Sequence, residues 1–228
     1  MTNTPFDLLP AIELETGNHP THAVLWMHGL GADGNDFVPV VDELALPSSL
    51  HIRFLFPHAP MRPVSINGGS VMRAWHDYDV AGSTSSFREN MASLRDSQQA
   101  IDALIARESQ RGIKPENIVL AGFSQGGALA LQTGLRYPER LAGIMALSCY
   151  LPASQTLAAE AHQANARASV FMAHGSIDNI IPMTLALASK QQLHESGYMV
   201  EWHAYPMAHT VCKEEIADIG AWLKRVLI

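Results

Sequence analysis

The stretch Ile118-Val-Leu-Ala-Gly122-Phe-Ser124-Gln-Gly126-Gly-Ala-Leu-Ala130 joins two kinds of local structure at a single serine. Its first residues are a continuous apolar run, the pattern of a strand buried on both faces. Its last residues are rich in Ala and Leu, which favour helix. Gly-x-Ser-x-Gly lies between them, so Ser124 falls on a sharp strand-to-helix turn whose glycines remove side chains that would collide. A serine held there exposes its hydroxyl, and the helix starting beside it aims amide donors at developing negative charge. A bare Gly-x-Ser-x-Gly also fits a turn that merely contains serine; the strand before it and the helix after it favour a nucleophile. A phosphate-binding loop would need a lysine and another glycine spacing.

Working outward, further apolar runs occur at residues 23–27, 52–56, 143–147, 169–173 and 199–205. Helical-period segments alternate with them, at residues 86–111, 125–137, 182–196 and 213–226. In the first of these Met91, Leu94, Ala100, Ile101, Leu104 and Ile105 favour one face, and Gly112 ends it. Alternation of buried strands with helices predicts an α/β fold, a mostly parallel central sheet with helices on both faces. Residues 57–82, rich in Pro, Gly, Ser and Asn, read as an irregular loop with room for a short hairpin. A loop that long in a compact domain is often functional.

Bulk properties narrow the function. A chain of 228 residues, 47% hydrophobic and 16% charged, is expected to form one domain over residues 1–228. A net charge of −7 with no basic run argues against nucleic acid and anionic membrane as partners. No apolar stretch approaches the roughly 18 to 20 residues of a membrane-spanning helix, so integral membrane association is not expected. The first 17 residues contain Asp7, Glu13 and Glu15 but no basic residue, unlike a secretory signal, and the mature chain is expected to start here. The two cysteines, Cys149 and Cys212, form no CxxC pair and no metal-like spacing. That pattern points to a reduced, cytoplasmic setting.

A serine hydroxyl needs a histidine to take its proton and a carboxylate to hold that histidine's tautomer, in the chain order serine, acid, histidine. Of the histidines after Ser124, His203 falls within a strand and His162 and His194 on helical stretches, while His174 precedes the acid. His209 remains, in a loop between the last strand and the last helix. Asp178 follows the strand at residues 169–173 and is the expected acid, although an aspartate there also suits a cap for the next helix. An acyl-transfer site further needs two donors for the carbonyl oxygen as it becomes negative. These are expected to be the N–H of Gln125 and that of Leu30 in the loop His28-Gly-Leu-Gly-Ala-Asp-Gly34, where His28 itself fits an internal structural role.

Six segments, HGLGADGNDF at 28–37, PHAPMRPVSINGG at 57–69, AWHD at 74–77, GFSQGG at 122–127, HGSIDNIIP at 174–182 and PMAHTV at 206–211, together resemble the carboxylesterase and acyl-protein thioesterase family of α/β-hydrolases. The resemblance implies hydrolysis of short- to medium-chain carboxylic esters, lysophospholipids or S-acyl thioesters of proteins, without cofactor, often by a homodimer. It also implies Ser124, Asp178 and His209 as triad, with Leu30 and Gln125 as oxyanion donors. Three positions depart from the family pattern: Ala208 where glycine is common, Asn179 where proline often follows the acid, and His76 where an aromatic usually follows Trp75. Trp75 offers apolar area with one polar handle, and is expected either to bind substrate at the acyl surface or to serve as a buried anchor. Competing readings are a lysophospholipase, a peptidase, for which the length leaves no room for a lid or propeller domain, and a non-catalytic binding protein with this fold.

Overall fold

A computed structural model describes residues 8–80 and 87–228. The strands in chain order are β1 (Ala11–Glu15), β2 (His22–Met27), β3 (Ile52–Pro57), β4 (Met61–Val64), β5 (Ser70–Arg73), β6 (Tyr78–Val80), β7 (Phe87–Glu89), β8 (Ile118–Phe123), β9 (Gly143–Leu147), β10 (Ser169–Gly175) and β11 (Val200–Tyr205). The helices are α1 (Val40–Glu43), α2 (Met91–Gln110), α3 (Gln125–Gly134), α4 (Leu157–Glu160), α5 (Met183–Glu195) and α6 (Lys213–Leu227). Seven strands form one sheet in the order β1-β3-β2-β8-β9-β10-β11. Only β1 runs antiparallel to its neighbour; the other pairings are parallel.

The apolar runs read from the sequence that become β2, β3, β8, β9 and β10 are buried on both faces, whereas β11, at the sheet edge, is mostly half-buried. On one side of the sheet Leu94, Ile101 and Leu104 of α2, Leu129 and Leu131 of α3 and Leu193 of α5 pack with Leu25, Leu55, Leu120 and Ile144. On the other, Val41 of α1 and Ile216, Ile219, Trp222 and Leu223 of α6 pack with Val24, Phe54, Val119, Met145 and Phe171. Each such side chain contributes about 1.5 to 3 kcal/mol when fully buried, so the two layers hold the central strands, and the loops at their carboxyl ends, in fixed positions.

Three elements differ from expectation. The helix expected from Ser86, which lies outside the described residues, starts at Met91, because β7 occupies the preceding residues and pairs with β6. Asn90 marks the boundary, its side chain accepting a hydrogen bond from Ser93 N–H at 3.0 Å. Helix α3 stops at Gly134 rather than running to Tyr137. Strand β1 was absent from the sequence reading. The loop over residues 57–82 carries the antiparallel hairpin β4–β5, in keeping with the room expected there for a short hairpin. Asp7, part of the N-terminal reading, also lies outside the described residues.

Candidate active site

Ser124 stands alone between β8 and α3 with φ 54° and ψ −119°. That backbone conformation is costly for a residue with a Cβ, and the surrounding chain enforces it: Ser124 N–H donates to Leu147 O at 2.8 Å. A Cβ at Gly126 would lie 2.2 Å from Met27 O, so α3 can start against the end of β2 only because that residue is glycine.

The other two loops come from the neighbouring strands β10 and β11. Ser176 N–H donates to Tyr205 O at 2.7 Å and Ile177 N–H to Met207 O at 3.1 Å, which ties the loops together beyond the sheet. Gly175 permits the approach, since a Cβ there would lie 2.3 Å from Met207 O. Across this junction His209 Nδ1 donates to Asp178 Oδ2 at 2.7 Å, and His209 Nε2 lies 2.9 Å from Ser124 Oγ. The carboxylate can only accept, so the imidazole carries its proton on Nδ1 and leaves Nε2 to accept from the serine hydroxyl. The Phe123 ring packs 4.8 Å from the His209 ring and limits its rotation.

Asp178 Oδ1 accepts Ile180 N–H at 2.8 Å and Ile181 N–H at 2.9 Å. The turn-capping role and the contact with histidine therefore coexist on one carboxylate, one oxygen for each. Burial by itself would raise this carboxyl; the His209 hydrogen bond and the Ile181 and Ile180 amides outweigh it and hold Asp178 below the usual carboxylate range. His174, buried beside it, donates from Nε2 to Ile181 O at 2.8 Å and so fixes the loop that presents the acid.

Ser124 and His209 open onto a groove of about 910 Å³ whose lining includes Leu30, Ile66, Phe123, Ile180, Ile181, Pro182 and Leu185, with Tyr78 and Tyr150. Ile180 is 63% exposed and Leu185 48%, so apolar surface continues from the groove to its rim. The sequence reading missed this wall, although Ile180, Ile181 and Pro182 directly follow Asp178. Leu30 lines the groove and Gln125 is the first residue of α3; neither N–H donates to a backbone acceptor among the described residues.

The family model described as Phospholipase/Carboxylesterase matches residues 10–227. This chain belongs to that family. Acyl-protein thioesterase 1 of Gibberella zeae is 36% identical over 214 residues, 91% of each chain. A probable carboxylesterase of Oryza sativa is 32% identical over 221 residues, 96% of this chain and 83% of that one. Among solved structures, SOBER1 of Arabidopsis thaliana superposes with a TM-score of 0.81 at 31% identity, over 91% of this chain and 99% of that one. The fold is thus that of the α/β-hydrolases, and this member of the phospholipase/carboxylesterase family is a hydrolase of esters or thioesters.

Trp75 requires a correction. It has no exposed surface and no part in the groove lining; its indole Nε1–H donates to His28 O at 2.8 Å. The polar handle expected to face substrate is used inside the protein, which leaves the buried-anchor alternative. His28 is likewise internal, donating from Nδ1 to Gly29 O at 2.7 Å and accepting Ala59 N–H on Nε2 at 3.1 Å. His203 pairs with Glu201 and Asp218, away from the groove. Of the departures from the family pattern, Ala208 does not adopt positive φ, so its methyl group does not strain the histidine loop. Asn179 is exposed. His76 is fully buried and does not line the groove.

Proposed function

We propose that this enzyme cleaves carboxylic esters or S-acyl thioesters through an acyl-enzyme, with Ser124 as nucleophile, His209 as general base and then acid, and Asp178 holding the imidazole. The observation that carries the reading is the continuous relay Asp178–His209–Ser124, joined by hydrogen bonds of 2.7 and 2.9 Å at the head of an apolar groove. Ser124 Oγ adds to the acyl carbon as its proton passes to His209 Nε2. The oxygen that becomes negative is received by the N–H groups of Leu30 and Gln125, each such donor worth on the order of 10² to 10³ in rate. Collapse expels an alcohol or thiol that takes the proton from His209. Water then attacks the acyl-enzyme under the same base and frees the acid.

The acyl chain lies along Phe123, Ile180, Ile181, Pro182 and Leu185, where its methylenes leave water at about 0.8 kcal/mol each. Short- to medium-chain acyl groups suit this wall, and S-acylated proteins are the favoured physiological class, supported by the thioesterase names of relatives at 36% identity. Lysophospholipids are the alternative class. We read the chain as one cytoplasmic domain acting as a homodimer without cofactor. Among the described residues, no helix is long and apolar enough to cross a membrane.

An alkyl fluorophosphonate should label the wild-type enzyme and abolish its hydrolysis of p-nitrophenyl butyrate, while Ser124→Ala takes up no label. Labelling that persists unchanged in Ser124→Ala overturns the assignment. Rates on a palmitoylated peptide set beside a lysophospholipid separate the two substrate classes.

A further inference from the structure

We infer that residues 73–76 form a buried strap that sets the spacing between the two oxyanion donors, with the Trp75 indole and the Gln125 side chain as positioning residues. The inference rests on reading Leu30 and Gln125 N–H as those donors. The two lie in separate segments that follow adjacent strands of the sheet, Leu30 after β2 and Gln125 after β8. Backbone ladders hold the strands themselves, but Leu30 lies in a turn beyond the ladder's end.

The strap reaches both sides. Toward the first donor, Gly31 N–H donates to Arg73 O at 2.9 Å, and Trp75 Nε1–H donates to His28 O at 2.8 Å. Leu30 is therefore enclosed by two anchored residues. Toward the second, Gln125 Oε1 accepts Trp75 N–H at 2.7 Å and Gln125 Nε2 donates to His76 O at 2.8 Å. These two bonds grip the strap with both ends of one amide, so the side chain of the residue that opens α3 cannot turn without breaking the strap. Ala74, Trp75 and His76 have no exposed surface and Gln125 is 4% exposed, so water cannot replace any of these partners cheaply. The Ser97 hydroxyl donates to Trp75 O and secures the strap from α2.

This arrangement matters because donors act on the transition state only when aimed at the position the negative oxygen will occupy. A small displacement of one donor relative to the other weakens binding of that oxygen and leaves ground-state contacts in the groove intact. Trp75→Phe keeps one aromatic ring but removes the indole N–H, and Gln125→Met keeps the length but removes both hydrogen bonds. Each is expected to lower kcat on p-nitrophenyl butyrate by about 10-fold, with KM within about twofold, since only interactions specific to the transition state are lost. Rates are taken per active site titrated to completion with fluorophosphonate, so any misfolded fraction drops out.

The decisive readout is the preference for an alkyl trifluoromethyl ketone, to which Ser124 Oγ adds as its proton passes to His209, leaving the former ketone oxygen as the oxyanion of a hemiketal, over the matching methyl ketone. Wild-type enzyme is expected to prefer the fluorinated ketone by at least about 10²-fold, and both variants to lose about 10-fold of that preference. Wild type without the preference overturns the donor reading itself. Wild type with the preference, and variants that keep it in full or that change KM in place of kcat, overturn the strap alone.

Discussion

At Asp178 the two carboxylate oxygens have separate tasks, and a substitution can divide them. Oδ1 holds the loop through the amides of Ile180 and Ile181, while Oδ2 holds His209. Asparagine can keep the first set with its carbonyl oxygen, but its NH₂ then faces His209 Nδ1. The imidazole must turn its proton to Nε2, where it meets Ser124 and can no longer accept from it. Asp178→Asn is therefore expected to lower kcat by about 10⁴, the cost known for the wrong tautomer in a triad of this kind. Its thermal midpoint should change by less than that of Asp178→Ala, which loses both tasks. A comparison of saturated rates with melting curves checks both; a fall in kcat matched by equal unfolding of the two variants would remove the division of labour.

Among elements, the junction of β8 and α3 tolerates least change. The Cβ of an alanine at Gly126 would meet backbone, Met27 O, at 2.2 Å, and no side-chain rotation relieves that contact. Gly126→Ala must shift α3 away from β2, and is expected to cost about 3 kcal/mol, the upper range for overpacking, visible as a lower urea midpoint. That junction was legible in the sequence because strand, turn and helix are consecutive. The placement of His209 and Asp178 beside Ser124 was legible through chain order and loop position. The sequence leaves Trp75 between two roles because its partner, His28 O, is 47 residues distant, and nothing local signals where an indole N–H will be satisfied. Strand β1 escaped notice because its Glu13 and Glu15 read as polar chain, whereas both pair with arginines, Glu15 with Arg53 at 2.8 Å and Glu13 with Arg111 at 2.9 Å. Helix α2 starts later than its helical period suggests because β6 and β7 are three residues each, too short for a strand period to show.

For the molecule as a whole, two buried ionisable side chains without hydrogen-bond partners among the described residues, His76 and Glu215, bound the pH range of stability. Burial lowers the His76 imidazole from its usual 6.5 to about 3, with Arg62 adding to the effect and Asp77 opposing it. The unfolded chain takes up that proton below about 6.5 and the folded one does not, so this contribution is whole above 6.5 and is lost as the pH falls toward 3. Glu215 is the converse. Burial raises it from 4.5 to about 8, Asp218 adds to this, and the nearby Cys212 amide, outside hydrogen-bond geometry, does not reverse it. Its contribution is whole below 4.5, where both states are protonated, and is lost as the pH rises toward 8. The cost is about 2 kcal/mol from His76 at pH 5 and about 3 kcal/mol from Glu215 at pH 7. Glu215→Gln should therefore gain stability over wild type by an amount that grows from pH 5 to pH 8, and His76→Phe by an amount that grows from pH 7 to pH 5. Urea unfolding at pH 5, 7 and 8 tests the pair. Gains that do not change with pH would mean that packing, and not the charge state of these two groups, governs their contribution.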